Sequence, residues 1–85
     1  MAEVDFARLT RAVQLQIAER LRWFESHFEH TVSLPLGGKW SGFFKLRAGD
    51  WRIVYEADNT MKCIIVHVID HRSRIYKRVP PQSLR

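Results

Sequence analysis

The hydrophobic period of this chain changes at Gly42, and that change restricts the possible folds more than any other feature. Upstream, Val13, Ile17, Leu21, Phe24 and Phe28 recur at spacings of four, four, three and four, which places them on one face of a helix. The periodicity predicts helix over residues 3–30. Val4, Phe6 and Leu9 form a shorter preceding helix, and Thr10 is placed as the N-cap between the two, giving a helical hairpin. Leu34-Pro35-Leu36-Gly37-Gly38 reads as a loop, because proline disfavours helix at the residue before it and paired glycines suit irregular backbone.

Beyond Gly42 the period is two. Strands are predicted at 43–47, 51–57 and 62–69, divided by Ala48-Gly49 and by Asp58-Asn59-Thr60. A two-residue Ala48-Gly49 turn would pair Arg47 with Asp50, Leu46 with Trp51 and Lys45 with Arg52. An Asn59-Thr60 turn would pair Arg52 with His67, Ile53 with Val66 and Tyr55 with Ile64. These registers put Phe44, Leu46, Trp51, Ile53, Tyr55, Ile64, Val66 and Val68 on one apolar face, to be covered by the helices. The opposite face is mixed: Lys45, Arg47, Asp50, Arg52, Val54, Glu56, Cys63, Ile65, His67 and Ile69. The fold class is α+β, two N-terminal helices on one face of a twisted antiparallel sheet. With 85 residues the expectation is one domain with one core: a helical hairpin at 3–30, a sheet at 43–70 and a basic C-terminal segment at 71–85. Within that segment, residues 79–85 are expected to be mobile.

Charge is divided between the halves. Residues 1–38 carry a net −1 and residues 39–85 a net +6, so the excess positive charge belongs to the sheet half and suggests a polyanionic partner. Cys63 is the sole cysteine, which excludes a disulfide-stapled scaffold. The start, Met-Ala-Glu-Val-Asp, has neither the basic nor the apolar region of a signal peptide. The longest apolar stretch stops at His67, far short of the ~20 residues of a membrane span. A cytoplasmic protein without membrane contact is expected.

The predicted register sets Lys45, Arg52 and His67 side by side across three strands, with neighbouring Cβ atoms ~5 Å apart. Residues 72–85 add five Lys/Arg and no acid. Cations without acidic partners, joined by a basic segment containing an aromatic, suit phosphate or RNA; a merely solvated basic tail fits the same composition. No metal or cofactor is expected: His27 and His30 lack further ligands at usable spacing, and Gly37-Gly38 lacks the P-loop pattern. Cys63, within a strand, reads as buried packing.

The run Gly42-Phe43-Phe44-Lys45-Leu46-Arg47-Ala48-Gly49-Asp50-Trp51-Arg52-Ile53-Val54-Tyr55-Glu56, with the later His71-Arg72-Ser73-Arg74-Ile75-Tyr76, resembles the RelE/ParE superfamily of type II toxins. The resemblance extends from about Ala2 to Arg78 and is strongest over 42–56 and 66–78. It looks like the RelE branch, whose members cleave mRNA in the ribosomal A site. By position it implies catalytic roles for Lys45, Arg52, Arg72 and Tyr76, with His71 as a further candidate. Arg47, His67, Arg74, Lys77 and Arg78 would contact RNA. The implied partners are the ribosome with its mRNA and a cognate RelB-like antitoxin with an acidic helical segment, operator DNA being reached only through that antitoxin. Two departures accompany the resemblance: the family's first strand is not visible, leaving a sheet edge for a partner to cover, and Phe43 stands where some relatives carry a lysine.

The implied chemistry is attack of an RNA 2′-hydroxyl on the adjacent phosphate, metal-free if cations stabilise the transition state. Arg52 and Arg72 suit the phosphate. Lys45, crowded by Arg52, would give up its proton more readily and serve as base. Tyr76 would stack on a base or orient the nucleophile. Chemistry alone favours His67 or His71 as base. The alternatives from other classes are a ParE-like inhibitor of DNA gyrase and an inactive relic that only binds its antitoxin.

Overall fold

The computed structural model describes residues 1–28, 34–58, 60–61 and 63–83. The expected placements of His30, of Asn59 in the second turn and of the residues at 84–85 lie outside the described residues.

The chain opens with α1 (Ala2–Ala7) and α2 (Arg11–His27). Thr10 separates them and caps α2 as expected, its hydroxyl accepting from the Val13 N–H at 3.3 Å. Gln14 ties the two helices together by donating from Nε2 to the Phe6 carbonyl at 2.9 Å. The sheet has four antiparallel strands in the order β1 (Leu34–Pro35), β2 (Phe44–Ala48), β3 (Trp51–Asp58), β4 (Cys63–His71). The class is α+β as predicted, but alternation predicts three strands. The extra one is the Leu34-Pro35 dipeptide, expected as loop, which pairs with Lys45 and Phe44. It is an edge strand, where proline's missing N–H is tolerated.

The β2–β3 register differs from expectation by two residues. Ala48 faces Trp51, Leu46 faces Ile53 and Lys45 faces Val54, around a two-residue Gly49-Asp50 loop. Gly49 has φ +61°, the left-handed conformation that such loops require and glycine adopts without strain. Faces survive a two-residue shift, so Phe44, Leu46, Trp51, Ile53 and Tyr55 meet the helices as predicted. Pairings do not survive it: Lys45 is not opposite Arg52, and Arg47 does not pair with Asp50.

The β3–β4 pairing departs further. Tyr55 faces Val66 but Val54 faces Val68, so His67 is the extra residue of a β-bulge. The bulge inverts the alternation beyond it. Ile69, expected on the mixed face, enters the helix-side core with Ile17, Phe24 and Ile53. Val68, expected in that core, points to the opposite side.

That opposite side is not bare. Trp40, Phe43, Val54, Val68 and Ile75, with Leu36 at the margin, form a second core. Its cover comes from two short 3₁₀ turns, Gly38–Trp40 and Ile75–Lys77. The expectation of a single core is therefore corrected, the second being built from loop residues that carry no period. The C-terminal segment is also tied down through residue 83: the Ser83 hydroxyl donates to Glu56 Oε2 at 2.6 Å. Cys63, expected to be buried, is exposed, because it pairs with Asp58 at the far end of the hairpin, beyond both cores.

Candidate functional site

The non-helical face of the sheet carries two rows relevant to chemistry. Arg47, Arg52 and Asp70 lie side by side across β2, β3 and β4, and the next row is Lys45, Val54, Val68. Opposed arginines repel, and the structure shows how this pair is tolerated. Arg52 Nη1 donates to the carbonyls of Gly49 at 2.8 Å and Trp51 at 2.9 Å, which draws its guanidinium toward the β2–β3 loop. Arg47 is exposed, and its carbonyl accepts from Arg20 Nε at 2.8 Å, which fixes the strand backbone against α2. Among the described residues, the Lys45 ammonium, the Arg47 guanidinium and the Lys77 ammonium have no ion-pair partner.

Tyr76 sits above this face in the Ile75–Lys77 turn, anchored by the fully buried Ile75. Its ring meets Trp40 edge-on at 6.1 Å. Partial burial raises the phenol's pKa, and the nearby charge of Arg52 pulls it back part of the way. The hydroxyl therefore stays protonated at neutral pH, as a donor close to Arg52.

The other expected residues divide by location. Arg72 is well exposed, its Nε 3.5 Å from Asp50 Oδ1, and its backbone N–H donates to the Asp50 carbonyl at 2.8 Å, fixing the chain as it leaves β4 beside the loop that holds Arg52. Arg74 and Arg78 are engaged elsewhere. Arg74 Nε reaches Asp70 Oδ1 at 3.1 Å, while Arg78 Nη1 reaches Asp5 Oδ1 at 3.1 Å and Asp70 Oδ2 at 3.3 Å. Both contacts neutralise Asp70, the acid that ends the arginine row. His71 is on the helix side, opposite Trp51 and edge-on to it at 5.5 Å. Its Nδ1 accepts from the Ser73 N–H at 3.2 Å. It does not share a face with Lys45 and Arg52. His67 lies in the bulge with Nε2 2.7 Å from Glu56 Oε1 and its ring edge-on to Phe43 at 5.4 Å, so it is not beside Arg52 as the expected register required.

Sequence reasoning misses four contributors. Asp70 and Asp5 are the acids that occupy Arg74 and Arg78. Glu56, almost fully buried, holds His67 and Ser83; an acid inside an otherwise apolar strand was the available signal. Trp40, in the loop between Gly38 and Gly42, underlies Tyr76. As to other ligands, no three His, Cys, Asp or Glu side chains among the described residues are grouped to hold a metal, and His27 stacks on Trp23 at 4.4 Å. No described helix is long and apolar enough to cross a membrane.

Comparison with known proteins follows this geometry. The family described as the ParE toxin of type II toxin-antitoxin systems, parDE, matches residues 2–76. Toxin RelG of Mycobacterium tuberculosis is 34% identical over 47 residues, covering 55% of this chain and 54% of that protein. The chain thus matches about half the length of this curated relative. The crystal structure of the toxin-antitoxin complex RelBE2 from Mycobacterium tuberculosis is similar at TM-score 0.73 and 25% identity, over 84% of this chain and 88% of that one.

Proposed function

The chain belongs to the ParE toxin family, within the RelE/ParE superfamily of type II toxins, and from that premise we propose that it is a ribosome-dependent mRNA endonuclease of RelE type. The observation that carries this reading is the sheet face itself: Arg47 and Lys45 stand there without acidic partners, next to Arg52 and the protonated phenol of Tyr76. A surface meant only to bind a protein has no need of that juxtaposition, whereas phosphoryl transfer uses each part of it.

In this mechanism the 2′-oxygen of one nucleotide attacks the adjacent phosphorus as its proton passes to the uncharged fraction of Lys45. The bond from phosphorus to the 5′-oxygen of the next nucleotide breaks, and Tyr76 supplies the leaving oxygen with a proton. The products are a cyclic phosphate and a 5′-hydroxyl. Arg52 and Arg47 take the charge that grows on the non-bridging oxygens, guanidinium being permanently charged and forked to fit them. Arg72 binds a flanking phosphate, and its exposed contact with Asp50 is readily exchanged for one. Arg74 and Arg78 contribute by silencing Asp70 rather than by touching RNA, and Lys77 extends the basic margin. The partner in this reading is a cognate antitoxin whose acidic helical segment covers the face, with operator DNA bound through the antitoxin, in the cytoplasm where ribosomes are.

Primer extension on a reporter mRNA in a cell-free translation reaction tests this, with and without ribosomes. New 5′ ends confined to ribosome-containing reactions and lost in Arg52→Ala and Tyr76→Ala are the expected result. Absence of cleavage, with loss of DNA gyrase supercoiling in a parallel reaction, would replace this function with that of a ParE-type inhibitor. Absence of both would leave an antitoxin-binding relic.

A further inference from the structure

The second core contains one polar atom with no partner. Trp40 is 4% exposed, and among the described residues its Nε1–H has neither a hydrogen-bond acceptor nor solvent. Buried indoles ordinarily place this donor on an acceptor, and an orphan carries the full desolvation cost of the group. The backbone around it, by contrast, is satisfied. Trp40 N–H donates to the Gly37 carbonyl at 3.1 Å, Ser41 N–H to Gly38 at 3.1 Å, Phe43 N–H to Trp40 at 3.2 Å and Leu36 N–H to Phe43 at 2.9 Å. Gly38 at φ +58° and Gly42 at φ +94° set the turns on either side. The loop is therefore built to a fixed shape, and the leftover donor is a property of the side chain chosen for it. Phenylalanine would fill the same apolar space without the penalty.

The surroundings define what could satisfy it. The ring is bounded by Phe43 edge-on at 6.3 Å, by Tyr76 edge-on at 6.1 Å, and by Val54, Val68 and Ile75 beneath. None of the groups packed beneath it offers an acceptor. Tyr76 is the member of this set that reaches solvent, being 37% exposed, and it is within electrostatic reach of Arg52. The corner thus opens, when Tyr76 turns aside, directly beside the proposed phosphate-binding arginines. Phosphate has charged donors there already. A neutral donor between flat apolar walls suits a flat heterocycle with an acceptor on its edge.

We propose that Trp40 reads a nucleobase: a base of bound RNA packs into the corner between Trp40 and Tyr76, and its edge carbonyl or ring nitrogen accepts the hydrogen bond of the Trp40 indole. Trp40 is then a specificity-determining residue beneath Tyr76, and the proposal rests on the RNA-cleaving reading above.

The test is an NMR titration of ¹⁵N-labelled protein with a short 2′-O-methyl RNA, which binds but cannot be cut. The three indole resonances, from Trp23, Trp40 and Trp51, are assigned by Trp→Phe replacement or by contacts to neighbouring rings. The Trp40 Nε1–H signal should move downfield on binding, alongside the arginine side-chain signals of Arg47 and Arg52. Trp40→Phe should melt at the same temperature or higher while binding the RNA roughly 3–10-fold more weakly, the size of one hydrogen bond. Arginine signals that shift while the Trp40 indole does not would overturn the base-reading role and leave the nuclease reading in place. An unmoved spectrum would remove the RNA reading, and this proposal with it. Unchanged RNA affinity in a folded Trp40→Phe would likewise overturn it.

Discussion

Removing Asp5 probes the joint that fixes α1 and the C-terminal segment to the sheet. Asp5 Oδ2 accepts from the Ile69 N–H at 3.1 Å and Oδ1 from Arg78 at 3.1 Å, with the carboxylate side chain 11% exposed and Arg78 29% exposed. In Asp5→Ala the Ile69 N–H loses its acceptor under α1, which costs about 1–3 kcal/mol. The ion pair is partly solvated, and Arg78 keeps Asp70, so its loss adds about 1 kcal/mol at most. The sum is about 2–4 kcal/mol. A chain of 85 residues has roughly 4–13 kcal/mol in total, so the variant gives up a large share of its stability. At ~4–8 °C per kcal/mol the melting temperature should fall by roughly 10–25 °C. Urea unfolding followed by circular dichroism measures it, with an unchanged slope and a lower midpoint. Asp5→Asn retains an acceptor for Ile69 and should lose only about 1 kcal/mol, the part that raised salt already weakens in the wild type. A loss below about 1 kcal/mol for the alanine variant, or equal losses for both variants, would refute the assignment of most of the energy to the backbone N–H.

Other perturbations separate packing, backbone and titration. Ile53→Ala empties a fully buried position between α2 and the sheet and should cost about 2–5 kcal/mol by denaturant unfolding. Gly49→Ala keeps the loop but forces φ +61° on an alanine, whose Cβ also meets the movable amide of Gln16; a net loss of about 1 kcal/mol is expected. Tyr76 should ionise above the ordinary tyrosine value of about 10, read as the 295 nm absorbance difference between wild type and Tyr76→Phe, and a midpoint at or below 10 would contradict its burial. Because the folded phenol holds its proton more tightly than the unfolded one, its contribution to stability is fully present below pH ~10 and is lost as pH rises through the folded value.

The helical half was legible because its information is local. The stripe from Val13 to Phe28 and the Thr10 cap follow from spacing and from one side chain's chemistry. Faces of β2 and β3 were legible for the same reason, since alternation assigns sides. Alternation cannot distinguish registers two residues apart, however, and that ambiguity misplaced Lys45 against Arg52. Gly49 resolves it: Gly49-Asp50 sets the left-handed glycine first in the loop, while Ala48-Gly49 does not. In β4 the run Ile64-Ile65-Val66 followed by His67-Val68-Ile69 has no alternation to break, so the bulge leaves no mark in the pattern. The second core was invisible because Leu36, Trp40 and Ile75 lie in loops and turns, where burial follows from the path of the chain rather than from any repeat. Of the candidate site, Lys45, Arg47, Arg52 and Tyr76 were found through their residue types and the family resemblance. What sequence could not supply was the allegiance of Arg74 and Arg78 to Asp70 and Asp5, which are distant in the chain.

The bulge at His67 makes strand length a coded quantity. Upstream of it Ile64 and Val66 serve the helical side; downstream that duty passes to Ile69, while Val68 and Asp70 serve the other. Deleting His67 would act as a frameshift in space. Val68, Ile69, Asp70 and His71 would each exchange sides at once, sending a carboxylate toward the helices and withdrawing the anchor of Arg74 and Arg78. Such a strand can accept substitutions one at a time, yet a change of one residue in its length is read by the fold as several simultaneous errors.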